Sequence, residues 1–204
     1  MGYPPRMTPV DFFFDPGCPW TWLTSRWLVE ASAQRDLAIT WRPYSLKMKN
    51  GDEIPKERRA TVEASHEALR VVVALDASVG NDAAGRFYAE RGYRAFGGEG
   101  ADDVAGTLTA AGLDPAFATA AHDESHDAVI VTSMKEAHRL AGDGSGSPIL
   151  SLGGSDRGYF GPVLTALPAD SGHLWDMVSG LTSIPEVHEL KRDRETGPSR
   201  PARP

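Results

Sequence analysis

Cysteine is almost missing from this chain: Cys18 is the single one in 204 residues. That excludes an internal disulfide framework and a cysteine-rich zinc site, and it fits a reducing compartment. A basic excess is missing too. Lys and Arg number 21 against 28 Asp and Glu, a formal charge of −7, whereas general nucleic-acid binding needs a clustered basic face. Long apolar runs are also lacking. Nothing approaches the roughly 20 residues of a membrane helix, and Phe12 to Phe14 is too short for the core of a secretion signal. The expectation is a cytoplasmic protein with neither nucleic acid nor membrane as a partner.

What is present is an ordinary globular composition, 41% hydrophobic and 24% charged, long enough for one elaborated domain or two small ones. Val10 to Phe14 is a short apolar, aromatic strand closed by the turn signal Asp15-Pro16-Gly17. Cys18 follows, at what should be the first turn of a helix. Helix starts carry unpaired N–H groups and partial positive charge, so a thiol there is expected to ionise more easily than a free cysteine. Pro19 suits a first helical position, and Trp20, Leu23, Trp27, Leu28 and Ala31 recur at helical spacing to about Gln34. Ala38 to Tyr44 reads as a second strand, giving strand, helix, strand in a parallel crossover.

Lys47 to Arg59 is charged and turn-rich, a surface crossing. From Thr61 to Leu140 the pattern is helical: Thr61 to Ala77, Asp82 to Phe96, Asp102 to Ala111, a short helix from Asp114-Pro115, and Asp123 to Leu140. Gly142 to Pro148 is a glycine-rich turn with no Lys-Ser/Thr pair after it, so it is no phosphate loop. Ile149 to Leu152 and Tyr159-Phe160 flank the turn Gly153 to Gly158 as a hairpin, a helix runs from Ser171 to Leu181, and a further short helix is expected from Val187. The last residues, with three prolines from Thr196 on, read as a disordered tail.

Several clusters have a bland reading that prevails. His122 and His126 have metal-like i, i+4 spacing but lack the glutamate of a zinc-protease helix, so no metal is expected and Asp123 or Ser125 is read as a cap. Ser125-His126-Asp127 is no triad signal, since triads meet in space. Lys47, Lys49, Lys56, Arg58 and Arg59 are interleaved with acids and read as a solvated face.

The order of segments resembles the thioredoxin-fold proteins with a helical insert: DsbA-type oxidoreductases, kappa-class glutathione transferases and 2-hydroxychromene-2-carboxylate isomerases. It is most similar to the actinobacterial mycothiol-dependent nitroreductase and DsbA-like group. The matching segments are Phe13-Phe14-Asp15-Pro16 with Cys18-Pro19-Trp20, Thr24-Ser25-Arg26-Trp27, Ser45-Leu46, Phe160-Gly161-Pro162-Val163-Leu164, Leu174-Trp175-Asp176 and Glu189-Leu190-Lys191-Arg192. The resemblance implies an α/β thioredoxin fold (βαβ…ββα) with an inserted all-helical subdomain. Residues 8–46 and 141–192 would be the two halves, 47–140 the insert and 193–204 the tail. It also implies a cis-proline at Pro148 facing the nucleophile, with the Ser147 backbone beside it. Two positions depart from the family pattern: Thr21 stands where a second cysteine is expected, and Ser147 stands where threonine is usual.

The expected site is therefore Cys18 as nucleophile and Thr21 as a hydroxyl that tunes it. Pro19, Trp20, Ser147 and Pro148 would line the substrate, with Trp20 as an aromatic wall and Trp22 and Trp27 in the core. Three functions fit. In the first, Cys18 is a monothiol nucleophile, and a low-molecular-weight thiol, by resemblance mycothiol, resolves the adduct while disulfides or small electrophiles are reduced. In the second, a cofactor sulfur does the attacking, as in the transferase and isomerase branch, and Cys18 and Thr21 only bind it. In the third, the fold is a redox-inactive binding scaffold. The partners expected are the thiol and an electrophilic small molecule, and a homodimer is among the assemblies the sequence allows.

Overall fold

Strand β1 (Thr8–Phe14) is buried at Val10 and from Phe12 to Phe14. Helix α1 (Pro19–Arg35) returns the chain so that β2 (Leu37–Pro43) lies parallel to β1, with Phe12 opposite Trp41. The computed structural model describes residues 7–203. Helices α2 (Leu46–Asn50), α3 (Arg59–Ser78), α4 (Asn81–Gly97), α5 (Val104–Ala110) and α6 (Asp127–Ala141) follow, with 3-10 turns between them and no strand. The chain then adds β3 (Ile149–Leu152), antiparallel to β1, β4 (Tyr159–Phe160), antiparallel to β3, and helix α7 (Ser171–Thr182). The sheet order β2-β1-β3-β4 with helices between the halves is the thioredoxin fold carrying a helical insert.

Among the helices and turns, sequence expectation and structure differ at four points. The crossing from Lys47 contains a one-turn helix, α2, because the Ser45 hydroxyl accepts from the Met48 N–H and caps it. Pro115–His122 is a 3-10 helix, with the Asp114 carboxylate accepting from the Ala116 N–H. Asp123 caps a 3-10 turn, Glu124–His126, so α6 begins only at Asp127. Among the described residues no helix forms after Val187. Leu190 is 84% exposed, and a segment that short with no buried face cannot offset the cost of helix nucleation.

The first half of α1 is covered on every side, with residues 21 to 28 buried without interruption. On one flank Trp27 meets Trp175 of α7 and donates from its ring N–H to the Ser171 carbonyl, while Arg35 pairs bidentately with Asp176. On the other flank lies α4. Its Gly85 and Gly92 sit directly against the rings of Trp41 and Trp22, leaving no room for a Cβ at either position. Seven residues apart, these glycines share one helix face. Phe14 stacks on Tyr88 at 4.0 Å between centroids, and Trp41 meets Phe12, Phe14 and Tyr88 edge-on. This aromatic cluster joins sheet and insert. Gly92→Ala is expected to overpack the Trp22 contact and destabilise the protein by about 1–3 kcal/mol, read as a lower urea midpoint with tryptophan fluorescence as the probe.

Candidate active site

The β1–α1 corner is shaped by Asp15. The Cys18 N–H donates to the Asp15 carbonyl at 3.1 Å, closing the Asp-Pro-Gly turn. The Asp15 side chain is buried. One carboxylate oxygen accepts from the Gly17 N–H at 2.8 Å and the Ser65 hydroxyl at 2.5 Å, and the other accepts from the Leu46 N–H at 2.7 Å. Behind it, the buried Arg91 guanidinium donates to the carbonyls of Pro16 and Ala64. Burial pushes the Asp15 carboxyl up, against the pull of Ser65, the two amides and Arg91.

Cys18 sits at the N-cap of α1 in extended backbone, and Pro19 takes the first helical position. Its side chain is half-buried, and Sγ lies 4.0 Å from the Ser147 carbonyl oxygen. The Ser147–Pro148 peptide is cis and both residues are buried. The Ser147 hydroxyl accepts from the Asp15 N–H at 3.0 Å and lies 3.0 Å from the Thr21 hydroxyl. Thr21 is fully buried. The two positions that depart from the family pattern are thus in contact. Asp15 N–H donates to Ser147 Oγ; when Ser147 donates on to Thr21, the Thr21 proton is free to serve a Cys18 thiolate.

The expectation of an easily ionised thiol is overturned in direction. Burial pushes the Cys18 thiol up. The Thr21 hydroxyl and the N–H groups of Thr21 and Trp20 pull it down, the Asp15 charge adds to the rise, and burial prevails. Trp20 is half-buried on the first turn of α1, with the Arg194 guanidinium 4.6 Å above its ring, whereas Trp22 and Trp27 are core.

A second polar line, not foreseen from the sequence, adjoins Asp15. The Ser45 hydroxyl lies 2.9 Å from His66 Nδ1, and His66 Nε2 lies 3.2 Å from Asp127, which Arg70 holds bidentately. This is no hydrolytic triad: Ser45 is fully buried and its oxygen caps α2. A serine and a histidine following one another at 65 and 66 gave no sign that they serve two different acids. His122 and His126 do not meet; each faces its own acid, Glu67 and Asp123. Among the described residues no group of three or more His, Cys, Asp or Glu is placed to hold a metal ion. Lys47 is paired with Glu63, and Lys49 donates to the Asp143 carbonyl.

These contacts set opposite expectations for two substitutions. Thr21→Val removes a hydrogen bond to the thiolate and should raise the pH midpoint of Cys18 alkylation by about one unit. Asp15→Asn removes the nearby negative charge and should lower it. Intact mass after iodoacetamide at stepped pH reads both, because the lone cysteine is the alkylation site.

The chain is 34% identical over 199 residues to the uncharacterized protein Rv2286c of Mycobacterium tuberculosis, covering 92% of this chain and 83% of that one. In structure it is similar to the cytosolic disulfide reductase DsbM from Pseudomonas aeruginosa, with a TM-score of 0.54, 18% identity and coverage of 85% of this chain and 99% of that one. It is also similar to the probable DsbA oxidoreductase SCO1869 from Streptomyces coelicolor, with a TM-score of 0.54, 17% identity and coverage of 92% and 94%. These two show the fold. The model of the Rv2466c-like family, described as mycothiol-dependent nitroreductase Rv2466c, matches residues 17–192, and the chain belongs to this family of thiol-dependent oxidoreductases.

Proposed function

We propose that the protein is a monothiol reductase in which Cys18 is the nucleophile and a low-molecular-weight thiol, mycothiol by family, is the reductant. The observation that carries this reading is Cys18 at the N-cap of α1, half-buried against the Ser147 carbonyl, with a hydroxyl, Thr21, in the place of a resolving thiol. The Cys18 thiolate attacks one sulfur of a disulfide, the S–S bond breaks, and the other sulfur leaves as a thiolate. The small thiol then attacks the adduct, taking its sulfur and returning Cys18 as thiolate. A second small thiol frees the other half of the substrate from the mixed disulfide so formed: two small thiols become one disulfide, their two electrons reach the substrate, and its two sulfurs leave as thiols. A small electrophile that accepts the same electrons stands in for the disulfide.

The raised thiol pKa supports the reducing direction. A stabilised thiolate makes a thiol–disulfide protein an oxidant. Cys18 lacks that net stabilisation, so its adduct is not penalised relative to the reduced form. Its thiolate population at neutral pH is small, but each thiolate is the more nucleophilic for its higher pKa. Trp20 and Pro148 would flank the bound substrate, Pro19 would hold the turn, and Ser147 would hold Thr21 through its hydroxyl. The lone cysteine and the thiol co-substrate suit the reducing cytoplasm.

The test is turnover of a small disulfide with mycothiol, alongside intact mass of the protein after substrate alone. The wild type should gain one substrate-derived adduct on Cys18 that mycothiol removes. Cys18→Ser should lose both adduct and turnover, with a fall of about a thousandfold or more. Full turnover by Cys18→Ser with no adduct on the wild type would sink the reading and favour attack by the cofactor's own sulfur.

A further inference from the structure

Beyond residue 192, where the family match ends, the sequence predicts a disordered tail. In the structure the described part of it lies against the body at three points. The Arg194 guanidinium sits 4.6 Å over the Trp20 ring. The Ser199 N–H donates to the Thr165 carbonyl at 2.8 Å. Arg203 Nη1 lies 2.9 Å from both carboxylate oxygens of Glu90, while Nη2 faces Glu99 at 3.4 and 3.5 Å.

The last contact is a built site. The Glu90 side chain is only 10% exposed, and among the described residues Arg203 is the cation within ion-pair distance of it. A carboxylate that buried needs a partner, and losing it leaves an uncompensated charge. The Arg203 guanidinium also lies 5.5 Å from the Tyr93 ring. Trp22, Tyr93, Phe96 and Glu99 line the adjoining hollow of about 320 Å³, with residues 200–203 as its outer wall. Two carboxylates above an aromatic floor form a receptor for a planar cation.

We propose that Glu90, Glu99 and Tyr93 form a guanidinium-binding site whose ligand is the chain's own Arg203, and that its occupancy holds residues 194–203 as a strap over Trp20, restricting access to Cys18. The link to the thiol is short. Trp20 is on the first turn of the helix that Cys18 caps, and Arg194 covers its ring. Pro198 and Pro201 stiffen the span between the anchors and remove backbone donors that a free segment would have to satisfy. Release at Arg203 frees the far end and loosens the Arg194 contact.

The test reads access to the thiol and not turnover, so it stands or fails apart from the proposed reaction. The rate of Cys18 carbamidomethylation at fixed pH is followed by intact mass. The samples are wild type, Arg203→Ala, Arg194→Ala and Glu99→Gln, with far-UV circular dichroism and thermal melts as the fold check. Arg203→Ala is expected to react several-fold faster than wild type, Arg194→Ala and Glu99→Gln by smaller factors, and 1 M NaCl should bring the wild type toward the variants. Wild-type rates in folded Arg203→Ala overturn the proposal. Should Arg203→Ala lose its cooperative melt through the stranded Glu90 charge, the two milder variants decide: faster alkylation in both supports the strap, and wild-type rates in both overturn it.

Discussion

The carboxylate of Asp15 is where the molecule is tied together. Its two oxygens accept hydrogen bonds from the β1–α1 turn, from the start of α2 and from α3, and its own N–H donates to the serine beside the cis-proline. Four segments from both halves and the insert meet at one residue. Loss of such a group would leave several buried donors unpaired, each costing about 1–3 kcal/mol. The same carboxylate is next to the thiol and adds to the rise in its pKa. The residue that positions Cys18 therefore also works against its ionisation.

Around this point the insert is fixed by shape. Two tryptophans, one from α1 and one from β2, occupy the spaces left by two glycines on α4. The stacking of Phe14 on Tyr88, at 4.0 Å between centroids, holds the insert against the sheet. The placement of α4 matters for the site because the helix carries Arg91 behind the turn and Glu90 toward the C-terminal strap. Aromatic packing of the core thus sets where the polar groups of the site stand.

Much of this was legible in the sequence, and the exceptions share a cause. Strand, turn, cysteine and helix are local patterns, so the β1–α1 corner and its single thiol could be read directly. The contact between Thr21 and Ser147 could not, because the two are 126 residues apart and each departs from the family pattern on its own. Asp15 reads as a turn former, and only its burial, created partly by Ser65 50 residues away, shows it as a hub. The thiol's direction of shift turned on the same point: the helix start is visible in the sequence, while the carbon surrounding it is not. In the tail, prolines and charges suggest disorder, yet Arg203 finds its acid 113 residues upstream. Leu190 shows the converse, an apolar position with no surface offered to it.

Thr21 in place of a second thiol has one more consequence, and it concerns timing. A neighbouring protein thiol clears an adduct at a rate set by geometry, since its effective concentration is built into the fold. Under the proposed reaction, an adduct on Cys18 has no such internal exit. Its lifetime is set from outside, falling in proportion as the surrounding thiol becomes more abundant. The fraction of molecules carrying an adduct is then a reading of the thiol supply, averaged over that lifetime.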